Sequence, residues 1–123
     1  YHDPCHLGRH SGIYEEPRNL LKLMGYEVVE MIHTKENSLC CGAGAGLRVN
    51  NPKLADLMMK NRIKEAKAVG AEKIVTTCPL CFSHLSNLEI PVEEFSYLLA
   101  DALGLKAEKT DAKEFIDSKE MCS

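Results

Sequence analysis

Five of the six cysteines fall into one pattern: Cys5, 34 residues, Cys40-Cys41, 36 residues, then Cys78-Pro79-Leu80-Cys81. If these thiols act together, three distant segments must converge, which limits the fold more than any other feature of the chain. Adjacent cysteines are poor partners for each other, because an ordinary disulfide holds its Cα atoms further apart. Neighbouring thiolates can instead reach different metal atoms, and a Cys-x-x-Cys turn aims two sulfurs at one centre. Cys5, Cys40, Cys41, Cys78 and Cys81 are therefore read as the ligands of an iron–sulfur cluster.

Simpler readings compete. Free thiols are common in cores, where they pack as small hydrophobes, but these five sit beside proline and glycine in turns. Disulfide frameworks serve domains too small to build a core, and 123 residues are enough to bury one. A dithiol exchange pair at Cys78 and Cys81 fits a strand-to-helix junction, yet leaves Cys5, Cys40 and Cys41 without a role. Zinc is the serious rival, with His2 or His6 as spare ligands. Both a closed zinc site and an ordinary cubane cluster take four protein ligands. Five thiolates leave one over, which hints at a less usual centre; the residues alone leave cluster and Zn²⁺ both open.

Composition narrows the setting. Hydrophobic residues at 45% and charged residues at 27% describe an ordinary globular domain. A net charge of −3 gives no pull toward nucleic acid. The sequence has no apolar run of about 18 residues, so nothing in it reads as a membrane span. Cysteines read as reduced thiols point to the cytoplasm.

Along the chain, helices and strands alternate as in a parallel α/β layer. Residues 1–3 read as a strand end stopped by Pro4, and the chain as a fragment of a longer protein. Cys5 follows on a turn with His6 and His10; His6 is a candidate proton donor, because imidazole changes charge near neutral pH. Glu15-Glu16-Pro17 opens a helix with Leu20, Leu21 and Met24 on its buried face and Gly25 at its end. Residues 26–32 (YEVVEMI) read as a strand. After Cys41 come Gly42, Gly44 and Gly46. Their spacing fits close backbone approach to a bulky anionic group, with amides facing the sulfurs, better than it fits a dinucleotide fingerprint.

Asn51 and Pro52 cap a helix of about 18 residues whose stripe is Ala55, Met59, Ile63 and Ala66, ended by Gly70. Residues 73–77 form a buried strand running into Cys78 and a helix start, the usual place for sites in open α/β sheets. His84, one turn on, is either a donor to the centre or an exposed helix residue. Residues 90–95 form the last strand, and Ser96 caps a helix ended by Gly104. Residues 1–104 are thus one domain, and 105–123 a charged tail, partly helical or disordered, in which Cys122 is a free thiol outside the pattern.

The pattern Cys5…Cys40-Cys41-Gly42…Cys78-x-x-Cys81 resembles the cysteine-rich CCG domain found in the B-type and D-type subunits of heterodisulfide reductases. It also resembles related iron–sulfur subunits of lactate, glycolate and glycerol-3-phosphate oxidation. The opening from His2 to Arg9 (HDPCHLGR) looks most like the D type. The resemblance covers residues 1–104. It implies a Rossmann-like three-layer fold with a short, mostly parallel sheet of about four strands. It also implies a noncubane [4Fe-4S] cluster on all five cysteines, with Zn²⁺ as the structural alternative. In those enzymes two such domains face the disulfide of coenzyme M and coenzyme B. The expected partners are therefore a second CCG domain, electron-donating iron–sulfur or cytochrome subunits, and a small-molecule disulfide or hydroxyacid-pathway substrate. A partner subunit would supply any attachment to the inner face of a membrane. This chain carries one copy of the pattern, so the isolated domain is expected to lack catalysis of its own.

Overall fold

The structure is a computed structural model, and it describes residues 1–86 and 89–105. A π-helical turn at His6–His10 is followed by α1 (Glu15–Leu23) and a 3-10 turn at Lys35–Asn37. Next come α2 (Leu47–Asn50), α3 (Pro52–Ala68), β1 (Ile74–Thr76), α4 (Pro79–Leu85), β2 (Val92–Glu94) and α5 (Phe95–Ala102). The expectations for residues 105–123, including Cys122, lie outside the described residues apart from Leu105.

Local chemistry explains most boundaries. The Asn51 side chain accepts the Leu54 N–H at 3.1 Å, and Pro52 fills the first position of α3, where no amide donor is needed. Beyond α3, Gly70 (φ +73°) reverses the chain, and the Ala71 N–H reaches back to the Ala66 carbonyl at 3.1 Å. α5 departs from expectation: Glu94 is its cap, accepting the Ser96 N–H at 2.9 Å, and Phe95 already lies inside the helix.

β1 and β2 pair in parallel, Ile74 opposite Val92 and Thr76 opposite Glu94, with α4 as the crossover. Alternate residues of β1 enter different apolar clusters, as the two-residue period of a strand requires. Ile74 packs with Met59, Ile63 and Ala66 of α3 and with Leu85 of α4. Val75 packs with Leu21 of α1 and with Phe95 and Leu98 of α5. The expected stripe of α3 is buried as read, but Arg62 is buried with it. On α1 the buried residues are Pro17, Arg18 and Leu21, while Leu20 is 40% exposed.

The expected four strands reduce to two among the described residues. Residues 1–3 make one backbone bond to β1, from the His2 N–H to the Val75 carbonyl at 2.8 Å. Residues 26–32 form no strand. A groove of about 460 Å³ has Tyr26, Val28 and Met31 on its wall together with Ile74 and Val75 of β1. A strand exists through its ladder, and here an open groove takes the place of one.

Two buried arginines hold the irregular segments in place. Arg18, 2% exposed, donates to both carboxylate oxygens of Asp3 at 2.7 Å each. It also donates to Glu30 at 2.6 and 3.0 Å, to the Thr34 hydroxyl at 2.9 Å and to the Tyr14 carbonyl at 2.7 Å. A buried guanidinium is tolerable only when its donors are so satisfied. Its bonds and charge hold the Glu30 carboxyl below the ordinary 4.5, down to about 2. A depressed carboxyl stabilises the fold above its unfolded pKa, and that contribution is lost as pH falls through the folded value. Stability to urea is therefore expected to drop between about pH 4.5 and pH 2, and Glu30→Gln should flatten the curve in that window. An unchanged pH profile in the variant would contradict the role given to this pair.

Candidate metal centre

The five cysteines lie in three places in the fold. Cys5 precedes the π-helical turn, Cys40 and Cys41 follow the 3-10 turn, and Cys78 and Cys81 flank the start of α4. Cys41 and Cys81 are buried, and the other three are half-buried. The Sγ atoms of Cys41 and Cys81 are 3.3 Å apart. Cys81 also feels Cys78, and Cys40 feels Cys5 and the charge of Cys41. Cys41 and Cys81 are thus in contact, and Cys78 influences Cys81 as Cys5 influences Cys40.

Their electrostatics are unequal. The Cys41 thiol is pushed far down, first by the hydrogen bond from Cys81 and then by His2 and the Ala43 N–H. The Cys78 thiol falls to about 6, chiefly through its hydrogen bond from Cys81, helped by the backbone amides of Cys81 and Leu80. Cys81 is pushed up, first by its interactions with Cys41 and Cys78 and then by burial. Burial also pushes Cys40 up. Thiols whose pKa is lowered give up their protons to a cation more readily, which suits Cys41 and Cys78 to metal binding.

The backbone supports this locally. Cys78 caps α4 in an extended conformation with Pro79 at the first helical position. The Gly42 N–H points to the Cys40 sulfur and the Ala43 N–H to the Cys41 sulfur, each at 3.4 Å. Gly42 has φ +91°, and a Cβ there would stand 2.7 Å from the Ala55 carbonyl oxygen of α3, so no other residue fits without a shift. Gly44 and Gly46 serve differently: the Gly44 carbonyl accepts the Leu47 N–H, and Gly46 (φ +72°) caps α2.

The histidines separate. His6 is exposed beside Cys5 and stacks on His10 with ring centroids 5.2 Å apart. His84 is 2% exposed and meets the Ala55 carbonyl at 3.3 Å through Nε2, so it ties α4 to α3. His2, 1% exposed, lies against the sulfurs: its ring and the Sγ atoms of Cys41 and Cys81 fall within 4.8 Å of one another. Burial pushes its pKa down and keeps the ring neutral, against the pull of Cys41.

The residues that position the cysteines are ones the motif did not name. Arg62 of α3, fully buried, donates to His2 Nδ1 at 2.9 Å and to the His33 carbonyl at 2.7 Å. It also donates to the Ser38 hydroxyl at 3.1 Å and to Glu65 at 2.7 Å. Arg9 donates to the Ser38 carbonyl at 2.6 Å and to the Cys5 sulfur at 3.2 Å. Ser38, two residues before Cys40, is thus held from both sides. A sequence signal for Arg62 existed: it stands three residues after Met59 and four before Ala66, on the apolar stripe.

Comparison with known proteins places this architecture. The model of the CCG cysteine-rich domain matches residues 1–86. The chain belongs to that family. It is 43% identical over 112 residues to the D-type subunit of the dihydromethanophenazine:CoB–CoM heterodisulfide reductase of Methanosarcina barkeri, covering 85% of this chain and 27% of that protein. It is 39% identical over 94 residues to the EtfAB:quinone oxidoreductase of Syntrophomonas wolfei, covering 71% and 13%. It is 35% identical over 88 residues to the B-type subunit of the fumarate reductase (CoM/CoB) of Methanothermobacter marburgensis, covering 71% and 17%. The chain thus spans about a quarter of the heterodisulfide reductase protein. No solved structure matches it. Among the described residues, no helix is long and apolar enough to cross a membrane.

Alkylation of the metal-free CCG domain, mapped by mass spectrometry, tests the effect of Cys81 on Cys78. Cys78 should gain reactivity as pH rises through about 6. In Cys81→Ala, which removes the donor, that onset should move up toward the ordinary 9. An onset that stays put in the variant would rule out that effect.

Proposed function

We propose that this CCG domain is the iron–sulfur redox domain of a heterodisulfide reductase-like enzyme. Cys5, Cys40, Cys41, Cys78 and Cys81 would hold a noncubane [4Fe-4S] cluster. The observation that carries this reading is the contact of Cys41 with Cys81 at 3.3 Å beside Cys78, with backbone amides aimed at Cys40 and Cys41. A donor set of five thiols exceeds what one zinc ion takes.

Such a cluster supplies one-electron chemistry at a thiolate-rich surface. The chain's own residues would hold it, shield Cys41 and Cys81 from water, and aim the Gly42 and Ala43 amides at Cys40 and Cys41. Gly44 and Gly46 would shape the loop that makes room for it. His6, exposed beside Cys5, is the residue proposed to deliver a proton to a departing sulfur.

The substrate proposed is a small-molecule disulfide, with the CoB–CoM heterodisulfide first, in keeping with the name of the Methanosarcina relative. Reduction would need a second CCG domain facing this one, and electrons from iron–sulfur or cytochrome subunits of a larger complex in the cytoplasm. The same reading extends the sheet. A four-stranded Rossmann-like sheet would have residues 26–32 pair with β1 across the groove that now lies between them.

Protein purified without oxygen, or reconstituted with iron and sulfide, is expected to be brown and to carry about four irons per chain. Each Cys→Ser variant of the five should lose iron. Colourless protein with one zinc per chain would overturn the proposal in favour of a structural zinc domain that mediates assembly.

A further inference from the structure

His2 and Arg62 form a buried relay that ends on Cys41. Arg62 Nε can only donate, because guanidinium keeps its protons. Its bond to His2 Nδ1 at 2.9 Å therefore occupies the lone pair of that nitrogen. In a neutral ring the proton must then sit on Nε2, and a nitrogen of this ring lies within 4.8 Å of the sulfurs of Cys41 and Cys81. His2 lies near enough to Cys41 to help hold its thiol pKa down. A ring held so cannot ligate a metal: one nitrogen has spent its lone pair on Arg62, and the other carries a proton.

We infer that His2 is a positioning residue for the sulfur of Cys41, donating an Nε2–H···S hydrogen bond whose direction Arg62 dictates, and that it raises the reduction potential of the bound centre. Reduction adds negative charge to the thiolate set, so a donor aimed at a sulfur stabilises the reduced state more than the oxidised one. The relay is built in rather than incidental. Arg62 is fully buried, His2 is 1% exposed, and Arg62 also donates to the His33 carbonyl, Ser38 and Glu65. The geometry also rejects an alternative that the same three residues suggest, a metal held by His2, Cys41 and Cys81.

This inference rests on the proposed cluster for its redox consequence but not for the tautomer. Nitrogen-15 NMR of the imidazoles in the metal-free domain reads the tautomer directly. His2 is expected as the Nε2–H form, and an Nδ1–H form would overturn the relay even if no cluster ever loads. In the iron-loaded domain, EPR-monitored titration of His2→Phe should show a more negative potential with iron content unchanged. A tenfold shift of the redox equilibrium corresponds to about 59 mV for one electron. His2→Gln can accept from Arg62 with its carbonyl and donate to Cys41 with its amide, so it should recover part of the shift. An unmoved potential in His2→Phe, with iron retained, would refute the role; loss of iron in His2→Phe but not in His2→Gln would make the contact structural and refute it equally.

Discussion

Everything at the sulfur set depends on one buried cation, Arg62. Its guanidinium reaches the segment before Cys5 through His2, and the segment before Cys40 through His33 and Ser38. It does so from α3, whose apolar residues pack under β1. A helix that the core holds rigid thereby fixes two irregular segments that have no ladder of their own. Removing one partner of a buried charged network typically costs about 3–5 kcal/mol, because the remaining groups are left unpaired away from water. Arg18 does the same one layer away, joining Asp3 to Glu30 and Thr34.

This arrangement suits a centre that binds thiolates. Backbone that must approach a bulky group closely cannot also lie in regular sheet, so side chains have to supply its order. Gly42 presses on the Ala55 carbonyl, and His84 meets that same carbonyl from α4. The loop carrying Cys40 and Cys41 and the helix carrying Cys81 are therefore registered against a single point on α3. The precision of the Cys41–Cys81 approach follows from this shared contact.

Much of the design was legible in the sequence where local chemistry decides. Asn51-Pro52, the α3 stripe, Gly70 and the Cys78-Pro79 helix start all follow rules that act within a few residues. The approach of Cys41 to Cys81 could be read from the cysteine pattern, since adjacent and near-adjacent thiols have few other uses. Long-range facts were not legible. Residues 26–32 have strand composition, but a strand needs a neighbour, and a groove lies beside β1 instead. Leu20 reads as buried yet is 40% exposed, and Arg18, of a type that composition ranks as a surface residue, is buried because Asp3 and Glu30 make a site for it. His2 and His84 differ only in what the fold places beside them.

The most direct measurement is a cysteine footprint by alkylation and mass spectrometry, taken on the iron-loaded domain and again after chelation. One centre on five sulfurs requires Cys5, Cys40, Cys41, Cys78 and Cys81 to be protected together and to become reactive together. Cys5 or Cys40 reacting at its unprotected rate while Cys78 and Cys81 stay shielded would contradict it.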